Sequence, residues 1–128
     1  MALFRCQSGN GGGVSETTLW NIGTVPSSQT STTANLSQGI SNFDEIKVNY
    51  RLSQSDNTGS FVTFPTSKFN ATYYRYVVGM NVAGVGIMCR YFSYNSDTKI
   101  DIGAASQLNA AYTDNEKVII TDFIGINY

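Results

Sequence analysis

In residues 43–52, FDEIKVNYRL, the side chains of Ile46, Val48, Tyr50 and Leu52 alternate with Lys47, Asn49 and Arg51. A period of two places each set on its own face of an extended chain, so this stretch predicts an antiparallel strand with one dry face. The same period, less cleanly, runs through most of the sequence. SETTLWNI alternates around Thr18, Trp20 and Ile22, and a weak strand is expected over residues 32–36. FVTFP is extended until Pro65 ends it. YYRYVVGMNV carries apolar groups on both faces, which predicts a strand central to its sheet. GIMCRYFSY sets Ile87, Cys89 and Tyr91 against Met88, Arg90, Phe92 and Tyr94, TKIDIGAA is a short alternating strand, and VIITDFIGINY is an apolar strand expected to pair inside a sheet.

Polar breaks separate these runs. SQSDNTGS offers Gly59 for a positive φ, TSKFNA and Asn95-Ser96-Asp97 read as turns, and Ala83-Gly84-Val85-Gly86 as a bend or bulge. Only SQLNAAYTDNEK has helical character, where a single helical turn and a loop both fit. Many short strands with almost no helix predict an all-β fold, an antiparallel β-sandwich that is jelly-roll-like. The domain is placed at residues 14–128. Residues 1–13 are read as a short flexible N-terminal arm, in which Leu3 and Phe4 would attach and the glycine-rich stretch 8–13 would act as a hinge. For the interior, Trp20, Phe43, Tyr50, Phe61, Phe64, Tyr74, Tyr76, Phe92 and Phe123 are the expected aromatic core.

Composition then narrows the function classes. The chain of 128 residues suffices for one domain with a real core. Its 8 basic and 9 acidic residues form no run, so no nucleic acid partner is expected, and so low a charge favours a chain that lives inside an assembly over a free monomer. The first residues hold too short an apolar stretch for a signal peptide, and nothing approaches the ~20 apolar residues of a membrane span. Synthesis in the cytoplasm without membrane insertion is the expectation. Cys6 and Cys89 form no closely spaced framework and are expected reduced.

The sequence contains no histidine, which removes imidazole acid–base chemistry, the usual hydrolase triads and common zinc sites. Carboxylates remain at Asp44, Glu45, Asp97, Asp101, Asp114, Glu116 and Asp122, but no local spacing pairs two of them across a cleft as a glycosidase requires. Asn95, Asp97 and Asp101 lack the pattern of a calcium loop. Residues 9–13 have no Lys-Ser/Thr pair of a phosphate loop, and the sequons at Asn35 and Asn70 need secretion to matter. No catalytic residue, metal or cofactor is therefore expected. The 8 Tyr, 7 Phe and 1 Trp stand out, since tyrosine presents a flat apolar face with a polar tip. Tyr73, Tyr94 and Tyr112, near strand ends and polar turns, are the candidate ligand-binding residues.

The order of segments, with the glycine-rich joint followed by ETTLWN, a Ser/Thr-rich stretch, NLSQGISNFDEIKVNYRLS and a closing IITDFIGINY, resembles small virion proteins and C-terminal domains of tail or fibre proteins of bacteriophages. The likeness is weakest between residues 61 and 103. It implies a non-enzymatic β-sandwich head, often trimeric, tethered to other virion proteins through its N-terminal segment. It also implies a place on the mature virion surface, where such heads bind host-surface glycan. A capsid-decorating or head-fibre protein without receptor recognition is the alternative role.

Overall fold

The computed structural model describes residues 13–108 and 111–128. The expected arm with Leu3 and Phe4, and Cys6 within it, lies outside the described residues except for Gly13. Eight strands run in chain order: β1 (Ser15–Asn21), β2 (Thr32–Asn35), β3 (Glu45–Arg51), β4 (Gly59–Pro65), β5 (Arg75–Val82), β6 (Gly86–Ser96), β7 (Lys99–Gln107) and β8 (Ile119–Asn127). Among the described residues two single 3-10 turns, Ile40–Asn42 and Thr66–Lys68, complete the regular structure.

The strands form two four-stranded antiparallel sheets, ordered β1-β8-β3-β4 and β2-β7-β6-β5. The pairings of β1 with β8 and β2 with β7 nest the two ends of the chain, as in a jelly roll. The inner strands depart from that pattern, because β3–β4 and β5–β6 close as sequential hairpins. The β5–β6 hairpin turns at Gly84 (φ 79°) and Gly86 (φ 104°), which is the bend the sequence announced.

Alternation builds the core as expected in β3, where Ile46, Val48 and Tyr50 are buried and Leu52 packs against them. Beside them in the same sheet β8 contributes Ile120 and Phe123, and from the facing sheet β6 and β7 contribute Met88, Phe92, Ile100 and Ile102. The aromatic residues meet between the sheets. Phe64 stacks on Tyr76 at 4.5 Å, and Phe92 lies 5.7 Å from Phe123 and 5.8 Å from Phe69. At β8 the backbone of Gly125 lies under Phe43, whose ring would be 2.5 Å from any added Cβ. Gly125→Ala is therefore expected to cost about 1–3 kcal/mol through overpacking, read as a lowered urea midpoint with an unchanged slope.

Several expectations need correction. YYRYVVGMNV yields an edge strand: β5 pairs only with β6, its inner face buries Val78 and Val82, and its outer face leaves Val77 in water. Phe61 and Tyr74 do not enter the core but are 62% and 54% exposed. Phe69, in the segment read as a turn, is fully buried instead. The candidate helical window begins as the end of β7 and continues, in its described part, as a loop bridged between Ser106 and Thr113.

One inward position is occupied by a cation. Arg90 lies on the inner face of β6 between Met88 and Phe92 and is fully buried. Its five N–H donors all find backbone carbonyls: Nε reaches Val118 at 2.6 Å, Nη1 reaches Gln29 and Gly103 at 2.7 Å each, and Nη2 reaches Lys117 at 3.0 Å and Asn115 at 3.2 Å. Burial pushes its pKa down to about 10, so the group stays a cation at neutral pH. The loop before β2 is fixed in the same place. Gln29 donates from Nε2 to the Ile120 carbonyl and accepts the Ile120 N–H, both at 2.9 Å. Val118 takes a φ of 53°, unusual for a β-branched residue, and is held by its N–H to Leu52 and its carbonyl to Arg90.

Candidate functional site

The outer face of the β2-β7-β6-β5 sheet is set by the same alternation that buries its inner face. The register aligns Thr33 of β2, Asp101 of β7, Ser93 of β6 and Arg75 of β5 as direct cross-strand neighbours. Four strands at ~4.8 Å spacing make this a polar row roughly 14 Å long. Tyr91 and Tyr74 flank it, and together these residues line a groove of about 530 Å³.

Each member is positioned by identifiable contacts. Asp101 accepts a 2.7 Å hydrogen bond from Thr33 Oγ1 and two 3.2 Å bonds from Asn95 Nδ2, which fix its carboxylate. The Arg75 guanidinium carbon lies 4.1 Å from the centroid of the Tyr91 ring, a cation–π stack that fixes the charge above the sheet. Tyr74, just before β5, is anchored by its carbonyl, which accepts the Tyr94 N–H at 2.7 Å, while its side chain stays exposed. The groove thus presents hydroxyls, a carboxylate, a guanidinium and an aromatic face on one rigid sheet, a set suited to polyhydroxylated ligands.

The tyrosines expected to bind ligand are not gathered in one place. Tyr73 is exposed, with Lys68 Nζ 4.7 Å from its ring centroid. Tyr94 departs from the expected exposed surface. It is half-buried with its ring edge-on to Phe69 at 5.6 Å, beside a shallow recess that includes Asp97. Tyr112 is exposed, but its carbonyl accepts the Gln107 N–H, whereas Tyr94 pairs with Ile100 near the other end of β7. That separation is roughly 20 Å along the strand. Tyr73 and Tyr94 belong to one end of the sheet and Tyr112 to the other.

Most of the remaining carboxylates are held by polar neighbours, some close in sequence and some across the fold. Asp97 accepts Ser41 N at 2.8 Å and Ser41 Oγ at 2.9 Å, and its carbonyl accepts Ile40 N, which joins the 39–42 turn to the β6–β7 hairpin. Asp122 accepts from Asn21, Asn49 and Thr121 on the outer face of the other sheet. Asp44 accepts Tyr128 N, Asp114 accepts Glu116 N, and Asp56 is held below the usual carboxylate range by hydrogen bonds from Thr58. On β3, the polar face that alternation left outside is engaged with its own molecule. Lys47 forms a 3.2 Å ion pair with Glu16 and lies 5.4 Å from the Phe61 ring centroid, and Arg51 donates to the carbonyls of Ser53 and Gln54. Cys89 is a free, buried thiol whose pKa burial pushes up, which leaves it inert.

Among the described residues, no group of three or more His, Cys, Asp or Glu is placed to hold a metal ion, and no helix is long and apolar enough to cross a membrane. No protein-family model matches the chain, and no curated protein matches it.

Thr33, Ser93, Arg75, Tyr74 and Tyr91 were not singled out as site residues from sequence. The alternation of YYRYVV and RYFSY does place Arg75, Tyr91 and Ser93 opposite Tyr76 and Phe92. Aligning them with Thr33 and Asp101 requires the register of four strands, which no local pattern contains.

Proposed function

We propose that this protein is a non-enzymatic surface domain of a bacteriophage virion, a tail-fibre or receptor-binding head that presents its β-sandwich to host-surface glycan. The observation that carries this reading is the Thr33–Asp101–Ser93–Arg75 row with Tyr74 and Tyr91 beside it: hydrogen-bonding groups of both kinds with flat apolar rings, on one hydrogen-bonded sheet. The engagement of the carboxylates by hydroxyl, amide and backbone donors, with no two of them paired across the groove, supports a binding role over hydrolysis. The resemblance in segment order supports the virion setting. In that setting the N-terminal arm joins other virion proteins, and assembly as a homotrimer multiplies the affinity of a shallow site, so that even millimolar single-site binding is useful.

The test is binding of the full chain to fractionated host envelope and to immobilised glycans. Tyr74→Ala is expected to weaken binding about tenfold without lowering the melting temperature. Failure to bind any envelope fraction would sink the reading.

A second role, as a capsid-decorating or head-fibre protein without receptor recognition, draws on a different surface. Edge strand β4 leaves Phe61 and Val62 exposed on opposite faces, apolar area that suits contact with another virion subunit. Labelled particles imaged by electron microscopy separate the two roles: signal on tails supports the first, signal over capsids the second.

A further inference from the structure

Resting on the glycan reading above, the groove has a feature that selects among glycans. Among the described residues the single salt bridge joins Lys47 to Glu16, so the Arg75 guanidinium, though stacked on Tyr91, has no carboxylate partner. Its nearest acid along the row is Asp101, two strands away across Ser93, and that carboxylate is already occupied by Thr33 and Asn95. Arg75 is exposed, whereas the buried and half-buried arginines are satisfied internally: Arg90 by five carbonyls and Arg51 by two. Arg75 differs from both in keeping its donors at the lip of a groove.

We infer that the groove binds glycan bearing an anionic substituent, carboxylate or phosphate, with Arg75 as the anion clamp. The Tyr91 ring lies against the guanidinium, and with no other partner among the described residues its N–H donors are free to meet two anionic oxygens side by side. The rest of the row then serves the sugar. Ser93 lies beneath its middle, Asp101 and Thr33, joined by their own hydrogen bond, offer acceptor oxygens to hydroxyls at the far end, and Tyr74 offers a ring at the rim. Polarity along the groove, cationic at β5 and anionic at β7, fixes the direction in which such a chain lies. An uncharged sugar would leave Arg75 unmatched, and one with its anion at the other end would meet Asp101.

The experiment titrates the full chain with three defined probes: a glucuronate-containing tetrasaccharide, a glycerol-phosphate oligomer and the neutral cellotetraose. Calorimetry gives affinities, and amide chemical shifts locate the site. At least one anionic probe is expected to bind tenfold or more tightly than the neutral one, with shifts at Ser93 and Asp101 and weakening as salt rises. The carboxylate and phosphate arms identify which anion is preferred. Arg75→Gln should erase the anionic advantage while retaining the native melting temperature, and Arg75→Lys should retain part of it as a point charge without the fork. An anionic advantage that survives Arg75→Gln overturns the inference. Equal binding of all three probes, lost in Tyr74→Ala, overturns the inference but leaves the glycan reading standing. Binding of none of the three also overturns it, and the envelope fractions then decide the broader reading separately.

Discussion

Replacing Arg90 with methionine is expected to cost roughly 4 kcal/mol, a large share of the roughly 5–15 kcal/mol that holds a domain folded. Methionine fits between Met88 and Phe92 but ends two atoms short of the guanidinium tips, so a small void adds to the main loss. That main loss comes from the carbonyls of Val118, Gln29, Gly103, Asn115 and Lys117, which belong to the backbone and cannot be mutated away with the arginine. A buried ion pair can often be exchanged for apolar residues at no net loss, because both partners leave together. Here only the donor leaves. Arg90→Lys should recover part of the stability, since an ammonium has three donors and no planar fork. The folded pKa of about 10 lies below the ordinary arginine value, so the group is protonated in folded and unfolded chains alike throughout the acid and neutral range. The deficit of Arg90→Met should therefore stay constant between about pH 5 and pH 8 and give no acid-side slope. Urea denaturation followed by the fluorescence of Trp20, the one tryptophan, measures it directly. A cost below about 1 kcal/mol would mean that the carbonyls find water or other donors when the arginine is gone.

Phe92→Ala is expected to be the next most damaging change, at about 3–5 kcal/mol. Phe92 projects from β6 to meet rings from both sheets and from the connecting loop: Phe64 at 5.9 Å, Phe69 at 5.8 Å, Tyr76 at 6.0 Å and Phe123 at 5.7 Å. These neighbours are themselves packed against others, so they cannot close in to fill the void, and the penalty falls near the upper part of the range for such truncations. Phe92→Leu keeps most of the volume and should cost less than half as much. Both are read as shifts of the urea midpoint. Near-UV circular dichroism should weaken in Phe92→Ala as the aromatic cluster loosens. A small effect in Phe92→Ala would place the centre of the core elsewhere.

What the sequence disclosed depended on whether the deciding interaction was local. Strands β3 and β8 were legible because each carries its own evidence: strict alternation in the first, a dense apolar run in the second. The edge position of β5 was not, because an apolar residue such as Val77 reads alike whether another strand covers it or water does. Phe69 sits among Ser67, Lys68 and Asn70, so its surroundings read as a turn, and only the closure of the fold carries its ring inward. Arg90 is the instructive case. Strand parity put it on the face of Met88 and Phe92, but its charge argued for solvent, and what resolves the conflict is a set of carbonyls from segments up to 61 residues away. The groove was hidden for the same reason. Its tyrosines were visible as a residue type, but a row drawn from four strands exists only once those strands are in register.

Strand β8 has a consequence for how the domain is made. It lies between β1 and β3, pairing with both along most of its length. Until residues 119–127 leave the ribosome, the first strand has no neighbour and β3 keeps a bare edge, so the earlier segments wait as an unfinished sheet in need of protection from one another. Maturation must then be a late, concerted event, slow in the way of folds dominated by distant pairings. Pausing translation just before residue 119 should leave a nascent chain sensitive to protease, and release should bring resistance in a single step.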